Sequence, residues 1–167
     1  MNNDRIWELY SSINEWVRYA DAKAGIALGA HAAIFTVAIP GIIENRVYFT
    51  ENTPIMSAVI LATAFAVVSS YFGIRCVVPR LNVGEARSLI FFAHIAKGYS
   101  DSVSFRNHAA KHYNDDDGFF NQVLDQVWAN SRVAWEKHKD STYCFRWLIA
   151  QAAVAVCGFL WALLFVK

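Results

Sequence analysis

Charge is what this chain has least of. Asp, Glu, Lys and Arg make up 17% of its 167 residues, while 56% are hydrophobic and 15% aromatic; ordinary soluble domains carry about 25% charged residues. The charges nearly cancel, at a formal +1, which leaves no electrostatic footprint for a nucleic-acid polymer. Cysteine is scarce and odd in number: Cys76, Cys144 and Cys157 are scattered along the chain, which excludes a disulfide framework or a zinc site. Cys157 lies in an apolar run and Cys76 borders another, which marks both as packing residues. No glycine-rich phosphate loop is present, and no serine, cysteine or carboxylate pair stands in a catalytic motif. An enzyme is therefore not expected, nor is a cofactor.

What is present in excess is apolar length, concentrated in three blocks. Residues 24–43 carry no formal charge, with His31 and Thr36 as the notable polar groups. Residues 55–74 are likewise uncharged, and residues 147–166 are interrupted only by Gln151. At 1.5 Å per residue each block spans about 30 Å, the thickness of a bilayer core. The first block starts too late and is too long for a cleaved signal peptide, and it follows an amphipathic stretch instead of a short basic one. The fold class expected is all-α: an integral membrane protein with three transmembrane helices and a helical cytoplasmic segment between the second and third. The chain divides accordingly into 1–79 (an amphipathic helix plus a two-crossing hairpin, 24–43 and 55–74), 80–146 and 147–167.

Basic residues set the orientation. The 44–54 loop has Arg46 alone, beside Glu44 and Glu51, whereas Arg75, Arg80, Arg87, Lys137, Lys139 and Arg146 crowd the edges of the 75–146 stretch. That stretch is expected in the cytoplasm, with the N-terminus inside and Lys167 outside.

The polar segments read as helices. Ile6, Leu9, Ile13, Trp16 and Val17 recur at spacings of three and four, which is an amphipathic pattern. It is free to run into the first crossing, because no Pro or Gly precedes Gly25. Pro79 ends the second crossing. Asn82, Val83 and Gly84 suggest a turn into a helix over 85–99, and residues 105–113 form a further helical piece. Residues 114–118 read as a loop whose last Asp caps the next helix. Its adjacent aspartates do not supply the alternating ligands of a calcium loop. From Phe119 no Pro or Gly appears until Gly158, so one helix is expected to continue into the third crossing. His108 and His112 share a helix face, but two imidazoles without a matching carboxylate make no metal site.

Two readings stand for the charges at the mouth of the first crossing. Asp21 and Lys23 either snorkel to water, with Trp16 as an interfacial anchor, or they join a pocket. In the second reading Trp16, Asp21, Lys23, Arg87, His94, Gln126, Asn130 and Lys137 supply aromatic, donor and basic groups. Such a set suits one small anionic ligand, a nucleotide phosphate with its base stacked on an aromatic. Gly25 and Gly29, four apart, permit either a close helix contact or ordinary small-residue packing.

The stretch Trp16-Val17-Arg18-Tyr19-Ala20-Asp21-Ala22-Lys23-Ala24-Gly25 resembles the "ADxKA" motif that leads into the first crossing of the transmembrane effectors of Pycsar. Pycsar is a bacterial anti-phage system that signals with cyclic pyrimidine mononucleotides. Leu89-Ile90-Phe91-Phe92-Ala93-His94-Ile95 is similar to that family's aromatic helix after the second crossing. The run from Gln126 to His138 is similar to its helix before the last crossing. The three motifs come in the family's order. The resemblance implies an effector of the bacterial inner membrane that binds a cyclic nucleotide, cyclic CMP or cyclic UMP, through its cytoplasmic helices. It then rearranges or assembles as a homo-oligomer in the lipid bilayer and impairs it, arresting growth. A cyclic di- or oligonucleotide is the other ligand class implied. By the family pattern Asp21, Lys23, Phe92, His94, Gln126 and Lys137 carry over. The alternative reading of the chain is a non-signalling helical membrane subunit that anchors a partner protein.

Overall fold

The computed structural model describes residues 3–79, 88–113 and 116–165. Among them are six helices and no strand: α1 (Asn3–Glu44), α2 (Arg46–Glu51), α3 (Thr53–Val77), α4 (Phe92–Gly98), α5 (Ser102–Tyr113) and α6 (Asp116–Phe165). Three helices, over Asp4–Glu44, Thr53–Val77 and Asp117–Phe165, are long and apolar enough to cross a membrane.

The amphipathic stretch and the first apolar block merge into α1 without a break. Pro40 lies inside this helix near its end, where it cannot donate to the carbonyl four residues back. At the end of α1 the backbone N–H and the side-chain amide of Asn45 both donate to the Gly41 carbonyl, at 3.2 and 3.0 Å. The short loop expected over 44–54 contains α2. Pro54 stands in the first turn of α3, where its missing N–H would have been unpaired anyway, and α3 ends just before Pro79, as expected.

Two expectations between the second and third crossings need correction. The helix expected over 85–99 starts only at Phe92, and residues 88–91 are not helical. Side chains take the donors a helix would use. The Leu89 N–H donates to Gln122 Oε1 at 3.0 Å, the Ser88 N–H to His94 Nδ1 at 3.2 Å, and the Ile90 N–H to Ser88 Oγ at 3.2 Å. The second correction concerns the acidic loop. α6 begins at Asp116, so Asp117 and Gly118 belong to its first turn, where the helix dipole favours negative charge. The Asn82-Val83-Gly84 turn, Asn114 and Asp115 lie outside the described residues. α5 begins earlier than 105 because Asp101 caps it, its Oδ1 accepting from the Ser104 N–H at 2.8 Å. α6 then runs unbroken into the third apolar block.

The chain forms two compact units, one from Met1–Tyr19 with Pro79–Glu136, the other from Ala20–Val78 with Lys137–Lys167. The first has an ordinary apolar core: Ile6, Val123 and Val127, with Tyr10, Ile13, Ile90, Phe119 and Phe120 packed against them.

The second unit is arranged the other way round. Ile26, Val37, Val67, Ile149, Leu163 and Leu164 face outward. Apart from Ile55 near the start of α3, the buried positions are small or polar: Ala20, Ala24, Ala27 and His31 on α1; Ala66, Ser69, Gly73 and Cys76 on α3; Lys137, Asp140, Ser141, Cys144 and Gln151 on α6. On α1 and α3 the spacings of three and four mark a single helix face. Lipid tails are as apolar as leucine, so helices in a bilayer gain nothing by hiding large side chains. They approach through small residues and turn polar groups inward.

Candidate functional site

The inward charges of the second unit are paired. Lys137, 3% exposed, donates from Nζ to Asp21 Oδ1 and to the Cys76 carbonyl, both at 2.5 Å. Ala20, Ala24 and Cys76 form a fully buried patch, with the Cys76 thiol 3.3 Å from the Lys137 carbonyl and 3.5 Å from that of Ala20. Along α6, Asp140 is 1% exposed and is held by two Arg75 nitrogens, Nε to Oδ2 at 3.2 Å and an Nη to Oδ1 at 3.0 Å. The Arg75 guanidinium also lies over the Tyr71 and Phe72 rings, at 6.0 and 5.9 Å. Ions as buried as Lys137 and Asp140 persist only when paired and hydrogen-bonded, here with the partly exposed Asp21 and Arg75.

Farther along the same helices, His31 Nε2 lies 2.7 Å from Ser69 Oγ, which donates to the Cys144 carbonyl at 2.7 Å.

The first unit carries its own polar seam. Gln126 Nε2 donates to Asn130 Oδ1 at 2.9 Å, and Asn130 Nδ2 donates to Asn14 Oδ1 at 2.8 Å, joining α6 to α1. Trp16, Trp128 and Trp135 are exposed at 55%, 63% and 71%, and the Arg132 guanidinium lies 5.2 Å from the Trp128 ring centroid. Exposed indole faces beside a cation can stack a planar base and pair with an anion.

The residues singled out from sequence divide between the units. Trp16, Phe92, His94, Gln126 and Asn130 belong to the first; Asp21, Lys23 and Lys137 belong to the second. Arg87 lies outside the described residues. Asp21 meets Lys137, and Gln126 meets Asn130. Phe92 is exposed at the start of α4, and His94 turns Nδ1 to the Ser88 N–H. Lys23 is half-buried on α1.

Sequence reasoning missed Asn14, the Arg75–Asp140 pair, and Cys76 as more than a packing residue. The small-residue spacing Ala66, Ser69, Gly73, Cys76 was the available signal for the inner face of α3.

Together these features define a class: an all-helical membrane protein with three crossings and a polar interior. Over residues 5–166 the chain matches the family model described as the Pycsar effector protein domain. It belongs to that family, whose members are anti-phage defence effectors, and the resemblance read from the three motifs is thereby established. No curated protein and no solved structure matches the chain.

Proposed function

We infer that this protein is a non-enzymatic defence effector of the bacterial inner membrane, multi-pass with its N-terminus in the cytoplasm, that senses a cyclic nucleotide and answers by impairing the bilayer. One observation carries the reading: the family match covers nearly the whole chain, the three apolar helices included. The ligand proposed is a cyclic pyrimidine mononucleotide, cyclic CMP or cyclic UMP, with a cyclic di- or oligonucleotide as the other class. Trp16, Arg87, Phe92, His94, Gln126 and Asn130 are proposed to contact it, as are Asp21, Lys23 and Lys137.

The last three suggest how binding would be felt. A phosphodiester arriving near Lys137 competes with Asp21 for the ammonium, and an opened ion pair leaves a charge stranded among buried alanines. Several copies are part of the reading, because three helices enclose little space. Gly25 and Gly29 support it, since nothing lies within 4 Å of where their Cβ atoms would stand.

The test is co-expression with a nucleotidyl cyclase, read with a membrane-potential dye. Cells are expected to depolarise only when both proteins are present, and Gln126→Ala or Lys137→Ala is expected to weaken the response while the protein stays in the membrane. Undiminished depolarisation by both variants would count against the binding residues. Purified protein whose melting temperature responds to no cyclic nucleotide would favour an anchoring subunit instead.

A further inference from the structure

In the first unit α1 and α6 lie side by side and run in the same direction. Trp7 meets Phe119 with ring centroids 6.1 Å apart, and farther along both helices Asn130 donates to Asn14, 116 positions away. Residues separated by that interval therefore stand level. The flanks turned away from this contact carry apolar stripes. On α1, Leu9, Ser12, Trp16 and Tyr19 recur at spacings of three and four, about 140–160° around the helix from Asn14. On α6, Leu124, Trp128, Ser131 and Trp135 do the same, about 100–160° around from Asn130. Their large members are exposed: Leu9 47%, Trp16 55% and Tyr19 50% on one stripe, Leu124 41%, Trp128 63% and Trp135 71% on the other. Lipid does not account for Trp128, which lies about 28 Å along α6 from the start of the third apolar block. The headgroup layer is only about 5–8 Å deep.

We propose that the two stripes are the halves of one contact between copies of this chain, the α1 stripe of each copy seating on the α6 stripe of the next. The contact rests on the multi-copy membrane reading above, since copies that cross the bilayer the same way hold equivalent residues at one height. Ser12 then faces Trp128, Tyr19 faces Trp135, and Trp16 falls beside Ser131. A large side chain meets a small one at two of these levels, which is how a helix seam fills. The Ser131 hydroxyl is already turned back to the Val127 carbonyl, at 2.7 Å, so the indole of Trp16 covers no stranded donor. Arg132, its guanidinium 5.2 Å from the Trp128 ring centroid, comes level with the neighbour's Glu15, of opposite charge. Glu8 and Asp125 come nearly level too and repel, weakly at an exposed edge. Pairing like with like fits less well. A two-fold contact of α1 with α1 sets Trp16 on Trp16, Ser12 on Ser12 and Glu15 on Glu15, while α6 with α6 sets Trp128 on Trp128 and Arg132 on Arg132. Bulk then meets bulk, gap meets gap and like charges meet. The mixed contact is head-to-tail, uses both stripes of every copy, and is the kind from which rings are built.

The contact is tested on the full-length protein carrying Cys157→Ala, so that the two remaining cysteines are buried. A copy with Ser12→Cys and a differently tagged copy with Ser131→Cys are produced together. Their membranes are treated with a short bismaleimide, with and without cyclic CMP or cyclic UMP. Links between position 12 of one copy and position 131 of the other are expected to exceed links between like copies. Predominant 12–12 or 131–131 links overturn the head-to-tail contact, as does a Ser131→Cys copy that links only to a different protein. No link under any of these conditions overturns it as well.

Adding Trp128→Ala to the Ser131→Cys copy is expected to reduce the mixed link at least about tenfold. Trp16 is left unsubstituted because it is also a proposed ligand contact. Glu15→Arg in the Ser12→Cys copy, or Arg132→Glu in the other, is expected to weaken the link about threefold, and the two together to restore it. Restoration by exchange is a result that a folding defect cannot give, and an exchanged pair as weak as either single variant overturns the contact. Cells that depolarise beside a nucleotidyl cyclase although no link forms overturn the contact alone. Mixed links in cells that never depolarise uphold the contact and overturn the functional inference.

Discussion

Lys137 and Asp21 stand 116 positions apart in the chain, yet the ammonium of one lies 2.5 Å from the carboxylate of the other. The pair is unequal, with side-chain exposures of 4% for Lys137 and 35% for Asp21. The lysine depends on the aspartate far more than the reverse.

Asp21→Ala is therefore expected to lower the melting temperature of the detergent-solubilised protein, by about 1–3 kcal/mol of stability. The figure stays below the full cost of stranding a buried ion because Asp21 is partly solvated. Adding Lys137→Met removes the stranded charge and is expected to restore part of the loss. A double variant less stable than Asp21→Ala alone would contradict this account.

Glycine substitutions should separate packing inside one copy from contacts between copies. A Cβ at Gly73 would stand 3.0 Å from Leu28 Cδ2 and 3.2 Å from Cys144 Sγ, so Gly73→Ala is expected to cost about 1–3 kcal/mol. At Gly25 and Gly29 nothing lies within 4 Å. Alanine there is expected to leave the melting temperature unchanged or slightly raised, while weakening any assembly measured by chemical cross-linking in the membrane.

The cap of α5 should be sensitive to acid. The Ser104 backbone N–H, and after it the Ser100 hydroxyl, hold the Asp101 carboxyl below its ordinary range. A depressed folded-state value means that the cap is fully effective above the unfolded value and fades as pH falls through the folded one. Hydrogen-exchange protection of the Ser104 amide is expected to drop on acidification. Asp101→Ala should show low protection at every pH, and Asp101→Asn protection that does not change with pH.

Gln122 should hold the 88–91 segment. Gln122→Leu strands the Leu89 N–H and is expected to cost about 1–3 kcal/mol, with faster exchange confined to 88–91 and its neighbours. Gln122→Glu keeps an acceptor and is expected to be mild.

The crossings were legible because lipid selects composition directly: a block such as 55–74 needs no partner to declare itself. Helix starts were less so. Phe92 and Asp116 begin helices where side-chain hydrogen bonds and the dipole decide, and neither leaves a periodic pattern. Asp21 and Lys137 were both visible as unusual residues, but a pairing across 116 positions has no local signature. His31 and Gln151 showed only as interruptions of apolar runs. The meeting of His31 with Ser69 depends on how the helices are rotated, which hydrophobicity does not encode.

The inverted arrangement of the second unit bears on how it unfolds. In a soluble bundle, separating the helices exposes buried leucine and isoleucine to water, which gives unfolding its heat capacity of about 12–15 cal/mol/K per residue. Here Ile26, Val37, Ile149 and Leu164 already face outward, and lipid or detergent covers them whether the helices are together or apart. What separation uncovers is mostly alanine, serine and paired charge. The stability of the crossings should accordingly vary little in slope with temperature, with no cold-denaturation limb, in contrast to the Ile6–Val123–Val127 core of the first unit.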